Sequence, residues 1–504
     1  MAALLVGLGA ATAAAGGGLL DGRPPGIEVS PGAPSSASIA DVAGFEPFAF
    51  EDGDPDDFLE RGRDGYAHPL YAFSPGGAAA SAARTARFRS RIEDAAERHE
   101  IEPETLEALV MLESAGRPEV AAGDDPDSAV GLGQILPGTA TGLLGMSVDL
   151  EASKRLTRGI ARERGRAGRA RSSRVRRAAL RRAAGFARRR REIDERYDPT
   201  EALDGAARYL GIAQPRFGRE DLAVASYHMG IGNLKDVIDA YVAPSRPART
   251  TSATVEERDL SYPRLLFDST PLENRRTHRL LAGFGDDSRS YLFRVEAARE
   301  IMELHRDDPE ELARLERLHA QWPSGELVLR PPEDSEPFAD PGALRDAYEG
   351  GDLLPLPDAP QRLGYTLDPG LGRFAAGSED SDPSLYRGLR PEAVATLLFI
   401  TKEVRRVAGR ADLRVTDAVR DPAAPNGAGE PPRAFSPHAT GYAFDIAREY
   451  GSPRVGRAFA HVLERLRALR VIDYVYERDE IHIGVGPDAE RLLPVQEALV
   501  PEPE

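Results

Sequence analysis

Hydrophobic positions along the chain follow two different spacings. Between residues 82 and 320, apolar residues recur every three or four positions, which is the spacing of one face of an α-helix. One such face carries Leu106, Leu109 and Val110, with Glu113 at its end. Further amphipathic helices are predicted over 203–217, 221–229 and 288–305. This region is therefore predicted to form an all-α domain.

After residue 390 the pattern becomes mixed, and helical and strand-like segments alternate. Helices are predicted over 391–407 and 454–469, and strands over 413–419, 442–447, 471–476 and 480–485. In the last of these strands Ile481 and Ile483 share one face, while Glu480 and His482 share the other. The expected fold is multidomain: an all-α domain followed by a small α+β domain with an antiparallel sheet.

Composition sets the boundaries between these regions. Segments rich in Pro, Gly and Asp predict linkers at 21–80 and 321–385. Residues 491–504 are expected to form a tail, so the two domains are expected at 81–320 and 386–490. Residues 1–20 are uncharged and apolar, which indicates a signal peptide or membrane anchor, the alternative being a disordered Ala/Gly tail. The chain of 504 residues has no cysteine, which excludes disulfides, thiolate metal sites and cysteine nucleophiles.

Charge is unevenly distributed. The formal net charge is −17, yet residues 154–191 contain 17 basic residues and one acidic residue, Glu163. Their Arg/Ala-rich pattern predicts an inserted pair of helices. A solvated insertion is the default interpretation, and contact with an anionic wall polymer or a membrane surface is the alternative. Nucleic acid is not expected, since the chain is acidic and Phe186 is the segment's one aromatic residue.

Glu113 is the first candidate for catalysis. On the same helical stripe as three apolar residues, its carboxyl group would lose hydration, which raises its pKa and lets it donate a proton near neutral pH. The alternative is a solvated helix end at which Glu113 pairs with Arg117.

Four segments around this residue occur in a defined order: Glu113–Pro118, Ala129–Ala140, Leu203–Leu210 and Ala225–Gly232. Together they resemble the lysozyme-like catalytic domain of soluble lytic transglycosylases, over about residues 85–300. The resemblance implies cleavage of the β-1,4 bond between N-acetylmuramic acid and N-acetylglucosamine of peptidoglycan, without water and without a cofactor. Glu113 would protonate the glycosidic oxygen and then take the proton of the muramyl 6-hydroxyl, which leaves a 1,6-anhydro end.

The resemblance also implies substrate contacts by Gln134 and Tyr227, and an orienting role for Ser114. The sequence departs from the family pattern at Gly133, where Met is usual, and at His228, where Asn is usual. Tyr291 is similar to a late cleft tyrosine of the family, but core packing is the expected role.

A second site is predicted near the C-terminus. His438, Asp445 and His482 are good metal ligands, and strand alternation brings Asp445, Glu480 and His482 onto one polar surface. Three protein ligands, an open position for water and a nearby carboxylate are typical of catalytic zinc. The alternative is a polar cluster without catalysis.

Ser436, His438, Gly441, Ala443 and Asp445 form a pattern that resembles the zinc D-alanyl-D-alanine carboxypeptidases and related peptidoglycan endopeptidases, over about residues 390–487. The resemblance implies Zn²⁺ bound by His438, Asp445 and His482, and stem peptides as substrates.

Other parts of this second site stay open. Ser436 is a candidate for substrate binding. Arg420 could hold a substrate carboxylate, or form an ordinary salt bridge. Either Glu480 or Asp479 would be the base, and strand alternation favours Glu480.

The two resemblances concern one polymer. They predict an exported enzyme, secreted or anchored at the cell wall, that cuts peptidoglycan glycan strands and stem peptides. The alternatives are that one domain alone is active, or that the chain is a catalytically silent wall-binding scaffold.

Overall fold

The computed structural model describes residues 37–50, 55–244, 250–322, 324–332, 334–373, 375, 382–422, 424 and 435–500. These residues form two compact units. Unit 1 comprises Pro69–Ala320, and unit 2 comprises the described residues up to His68 together with those from Gln321 onward. In sequence, unit 1 is therefore inserted into unit 2.

The described part of unit 1 is built from helices, as predicted. These are α1 (Pro55–Phe73, which begins in unit 2), α2 (Ala78–Thr85), α3 (Arg89–His99), α4 (Pro103–Ser114), α5 (Pro137–Gly142), α6 (Leu150–Gly168), α7 (Ser173–Ile193), α8 (Pro199–Phe217), α9 (Glu220–Met229), α10 (Ile231–Val242), α11 (Ser252–Glu257), α12 (Tyr262–Phe267), α13 (Arg275–Gly283), α14 (Tyr291–Asp307) and α15 (Pro309–Ala320). Short 3-10 turns lie at Ala86–Phe88, Glu195–Tyr197 and Asp287–Arg289.

Helix α4 lies in the core of unit 1 and packs on α14. Its residues 105–111 are all buried, so more than one face is covered. The helix ends at Ala115, which has a left-handed backbone with φ 52°. Gly116 follows with φ 67°, and a Cβ atom there would lie 2.5 Å from the backbone nitrogen of Thr85. A glycine is therefore needed where α4 stops, one turn after Glu113.

The predicted helix pair in the basic segment is confirmed as a hairpin of α6 and α7. The carboxylate of Asp149 caps α6 by accepting a hydrogen bond from the backbone N–H of Ala152. The buried stripe of α7 consists of alanines, and the ring of Phe186 lies against Gly159 of α6.

Unit 2 contains a five-stranded sheet and several helices. Its elements, after the N-terminal part of α1, are α16 (Glu326–Leu329), α17 (Pro341–Glu349), β1 (Leu354–Pro355), α18 (Pro360–Leu363), β2 (Tyr365–Leu367), β3 (Gly388–Leu389), α19 (Pro391–Ala408), β4 (Leu413–Asp417), β5 (Ala443–Ala447), α20 (Pro453–Ala468), β6 (Ile472–Tyr476), β7 (Glu480–Val485) and α21 (Leu493–Leu499). Short 3-10 turns lie at Pro383–Tyr386, Pro437–Thr440 and Pro487–Leu492.

The strand order is β2-β4-β5-β7-β6, and β1 pairs with β3 apart from this sheet. Strands β4, β5, β7 and β6 are antiparallel neighbours, but β2 runs parallel to β4. The prediction of an antiparallel sheet is thus corrected to a mixed one. The extra strand comes from the predicted linker, where Tyr365 is buried and pairs with Leu413.

Much of each predicted linker belongs instead to one of the compact units. Residues 55–73 form α1, and residues 321–385 contribute α16, α17, α18, β1 and β2 to unit 2. The N-terminal residues also pack on unit 2: the Ile39 N–H donates to the Arg362 carbonyl, and the Phe48 ring meets Phe399 edge-on at 6.3 Å. Within the described part of the predicted tail, residues 493–499 form α21, which packs on α19.

The predicted signal or anchor at residues 1–20 lies outside the described residues. Among those that are described, no helix has the length and apolar character needed to cross a membrane.

Candidate functional site

Glu113 lies in the last turn of α4, half-buried, with its side chain directed at α14. The Tyr291 hydroxyl, at the first residue of α14, donates to Glu113 Oε1 at 2.6 Å. Arg117 instead donates to the Ser114 carbonyl, which does not support the alternative of a Glu113–Arg117 pair.

The surroundings of Glu113 favour its protonated form. Burial raises the pKa of this carboxyl group, while the Tyr291 hydrogen bond and the charge of Arg294 lower it, with a net pKa of about 7. At neutral pH the side chain can therefore both give up and accept a proton, as a group that acts first as acid and then as base must do.

Three aromatic rings line up beside this carboxyl group. Tyr227 and Tyr291 are stacked with ring centroids 6.5 Å apart, and His228 stacks on Tyr291 at 5.0 Å. The charge of Glu113 raises the pKa of both tyrosines, after the larger effect of burial. Tyr227 and Glu113, predicted from separate sequence blocks, thus belong to one cluster. Tyr291, for which core packing was expected, is buried but also bonds the acid directly.

The departure at Gly133 has a steric reason here. The Tyr227 hydroxyl donates to the Gly133 carbonyl at 2.7 Å. A Cβ atom at position 133 would lie 2.9 Å from that hydroxyl oxygen and 3.2 Å from Ala206 Cβ. A larger residue at position 133 would displace Tyr227.

Gln134 and His228 occupy defined positions near the same cluster. Gln134 has a left-handed backbone with φ 47°, and its side-chain amide donates to the Gly131 carbonyl at 3.0 Å. His228 Nε2 lies 3.8 Å from Asp286, and burial lowers the pKa of His228 more than that carboxylate raises it. Both side chains are half-buried.

Ser114 does not line this cluster. Its side chain is buried, and its hydroxyl donates to the Val110 carbonyl one turn earlier in α4. A buried hydroxyl engaged with the helix backbone has no access to a sugar, so this position does not support the predicted substrate binding by Ser114. The bond to Val110 likewise gives no support to the predicted role of Ser114 in orienting Glu113.

The second predicted site is assembled in unit 2. His438 lies on the 3-10 turn Pro437–Thr440, while Asp445 and His482 face each other across the β5–β7 pair. His438 Nε2, His482 Nδ1 and Asp445 Oδ1 are separated by 3.0, 2.9 and 3.2 Å. All three residues are buried. Three ligand atoms about 3 Å apart can bind one ion through bonds of about 2.0–2.2 Å.

A backbone carbonyl group fixes the orientation of the His438 ring. Its Nδ1 lies 2.6 Å from the Ala418 carbonyl, which leaves Nε2 directed at the other two residues. Burial disfavours the charge on Asp445, but the two histidines outweigh it and hold the pKa of this carboxyl group well below its usual range. An ionised carboxylate with two imidazoles is a donor set suited to zinc, so these residues fit the predicted metal.

The two candidate bases differ in position. Glu480 is half-buried on β7, its Oε2 accepts a hydrogen bond from Thr416 at 2.7 Å, and burial together with the charge of Asp445 raises its pKa. The Asp479 side chain is 90% exposed and lies 4.0 Å from Arg478. Glu480 is therefore the carboxylate that faces the site, as strand alternation predicts.

Arg420 and Ser436 border this centre. The Arg420 guanidinium forms a salt bridge with Asp417, which supports the ordinary ion pair, while its backbone N–H donates to the His438 carbonyl at 3.2 Å. Ser436 is half-buried, and its carbonyl accepts from the Ala439 N–H, which closes the turn that carries His438.

Sequence reasoning missed Glu326, which comes from the predicted linker. It is 4% exposed and lies over β7, where a Cβ atom on Gly484 would be 2.6 Å from Glu326 Cβ. Its Oε1 accepts from Ser324 at 2.5 Å, and its charge contributes to a raised pKa of His482. The signal in the sequence was Gly484 itself, since a glycine inside a predicted strand often marks the close approach of another segment.

The comparisons bear on unit 1. Residues 176–246 match the family model of the Transglycosylase SLT domain. This segment contains most of α7 and all of α8, α9 and α10, and so includes Tyr227 and His228. The match supports peptidoglycan as substrate and lytic transglycosylase activity. No curated protein matches the chain.

Proposed function

We propose that this protein is a peptidoglycan lytic transglycosylase in which Glu113 is the acid and base. The observation that carries the proposal is the half-buried Glu113 carboxyl group, bonded by Tyr291 and with a pKa of about 7. A protonated Glu113 would give its proton to the oxygen of the β-1,4 bond between N-acetylmuramic acid and N-acetylglucosamine. The carboxylate so formed would then take the muramyl 6-hydroxyl proton, and that oxygen would close the 1,6-anhydro ring.

Tyr291 supports the second half of this cycle. Its hydroxyl donates to the Glu113 carboxylate at 2.6 Å, and a hydrogen bond of this kind stabilises the ionised form. This bond would hold the carboxylate in one rotamer until it accepts the proton of the 6-hydroxyl group. In ordinary glycosidases a second carboxylate serves as nucleophile or base. Here Glu113 fills both roles in turn, so the internal 6-hydroxyl replaces water.

We also propose a zinc-dependent peptidase activity on stem peptides for unit 2. His438, Asp445 and His482 would hold Zn²⁺, which when bound supplies a Lewis acid for peptide hydrolysis. Glu480, positioned by Thr416, would accept a proton from the attacking water and pass it to the leaving amine. This second activity is supported by the convergence of three buried ligand atoms. Both activities imply a location outside the cytoplasm, at the cell wall.

Digestion of purified sacculi tests both activities at once. The wild-type protein should release fragments with 1,6-anhydro-muramyl ends and new peptide termini, as measured by mass spectrometry. Glu113→Gln should lose the anhydro ends and keep the peptide cuts, whereas His438→Ala should do the reverse. Glu97→Gln, at an exposed position of α3, is the matched control and should behave as wild type. Wild-type fragments with reducing muramyl ends would overturn the first proposal, and an unaltered peptide pattern the second.

A further inference from the structure

The α6–α7 hairpin carries a positive charge that the rest of the molecule does not neutralise. Of its sixteen arginines, three form salt bridges: Arg182 with Glu163, and Arg190 and Arg191 with Glu119. Within the described part of the chain, the other thirteen form none, and all are exposed. They are Arg155, Arg158, Arg162, Arg164, Arg166, Arg169, Arg171, Arg174, Arg176, Arg177, Arg181, Arg188 and Arg189.

The exposed arginines are arranged in lines. On each helix, four of them recur at intervals of three, four or seven residues, so they share one face with about one guanidinium per turn of 5.4 Å. On α6 these are Arg155, Arg158, Arg162 and Arg166, and on α7 they are Arg174, Arg177, Arg181 and Arg188. The α7 line lies opposite the buried stripe of Ala179, Ala183 and Ala187, so it points away from α6.

The hairpin has no apolar face left for insertion into lipid. The small residues of α7 are used in packing against α6, and the exposed large apolar residues of the hairpin are Val175 and Leu180 alone. An interfacial helix needs a continuous apolar face. Stacking on bases is also disfavoured, because Phe186 packs on Gly159.

The use of arginine rather than lysine further restricts the class of anion that the hairpin would bind. Lys154 is the segment's one lysine, and it is paired with Asp127. Guanidinium groups bind phosphate through two parallel hydrogen bonds, which an ammonium group cannot do. The remainder of the chain carries a net charge of about −33, which disfavours the binding of a polyanion elsewhere on the molecule.

We propose that the α6–α7 hairpin binds a linear phosphodiester polymer of the cell wall, laid along the arginine lines. A flexible chain with one phosphate per short repeating unit can follow a line of charges spaced by one helical turn. Binding would hold unit 1 close to glycan strands that carry such polymers. The choice of a wall polymer rests on the proposed action at the cell wall, but the hairpin lies apart from Glu113, so binding can be measured separately from catalysis.

The test uses the full chain and end-labelled poly(glycerol phosphate), with binding measured by fluorescence anisotropy at about 50 and 200 mM salt. The variant replaces Arg174, Arg177, Arg181 and Arg188 by Gln. The matched control replaces four exposed arginines of unit 1 outside the hairpin: Arg87, Arg258, Arg276 and Arg279. Wild type should bind with a steep salt dependence, and the hairpin variant should bind at least ~100-fold more weakly at the lower salt. The control should stay within about twofold of wild type.

Several outcomes would overturn the proposal. One is equal loss of affinity in the hairpin and control variants. A second is tighter binding to a DNA oligonucleotide of matched charge than to the polymer, which would indicate a nucleic-acid ligand. A third is binding to anionic phosphatidylglycerol vesicles without binding to the polymer, which would indicate a membrane surface. Circular dichroism of the hairpin variant should be unchanged, since its four sites are exposed and Gln favours helix. Glu113→Gln should bind the polymer as wild type does, which separates this test from that of catalysis.

Discussion

Replacing Glu113 by Gln should abolish lytic activity and also stabilise unit 1. Burial of the carboxyl group disfavours its charge, so the folded group titrates near 7, whereas the unfolded one titrates near 4.5. Below pH 4.5 Glu113 is protonated in both the folded and the unfolded protein, so folding does not require the burial of a charge. As the pH rises above 4.5 the unfolded state ionises first, and stability is lost until the folded group also ionises above about 7.

The size of this effect follows from the difference in pKa. A difference of about 2.5 units corresponds to about 3 kcal/mol, and partial exposure of the side chain reduces the expected value to about 2–3 kcal/mol. Glutamine resembles the protonated acid in shape and can still accept the Tyr291 hydrogen bond. Glu113→Gln should therefore match wild type at pH 4 and exceed it by about 2–3 kcal/mol at pH 8 and above.

Hydrogen exchange measured by mass spectrometry can locate this gain. Peptides from α4 and α14 should exchange more slowly in the variant at pH 8, after correction for the intrinsic rate, while those from α19 and α20 in unit 2 should not change. A variant that is no more stable than wild type at pH 8, or that is equally stabilised at pH 4, would refute the link between burial and the raised pKa.

Three further outcomes are expected. Tyr291→Phe removes the bond that favours the Glu113 carboxylate, so the alkaline limb of the pH–rate profile should move up by about one unit; an unmoved limb would contradict this. Gly133→Ala places a methyl group against the Tyr227 hydroxyl and should lower kcat/KM about tenfold with little change in fold; full activity would show that this contact is dispensable. Zinc at about 100 times its Kd should stabilise unit 2 by about 2.7 kcal/mol, and His438→Ala should lose this gain in thermal denaturation; an equal gain in both proteins would place the metal elsewhere.

The sequence predicted the elements that carry periodic apolar residues. The stripe through Leu106 and Val110 is α4, and the alternation in 480–485 is β7 with Glu480 on the side of His482. Asp445 and His482 were predicted to share a surface because side chains alternate between the two faces of a strand. In the structure Asp445 does pair with His482 across β5 and β7.

What the sequence could not predict depends on contacts between distant segments. Strand β2 has three residues and α16 has four, too few for a period to be recognised, and their burial arises from β4 and from the β6–β7 pair. The hydrogen bond from Tyr291 to Glu113 was not predicted for a similar reason, because the two residues are 178 positions apart.

The insertion of unit 1 into unit 2 has a consequence for biosynthesis. The described residues between 37 and 68 leave the ribosome more than 320 residues before the helices α19 and α20 on which they pack. The turn that holds Asp488, which pairs with Arg61, is 427 residues later than Arg61. Unit 1 can complete its folding in that interval, whereas unit 2 cannot close until translation is nearly finished. A fragment that starts at residue 386, the predicted domain boundary, would lack β2 and α16. Strand β4 would then be an unpaired edge of the sheet, so this fragment should aggregate.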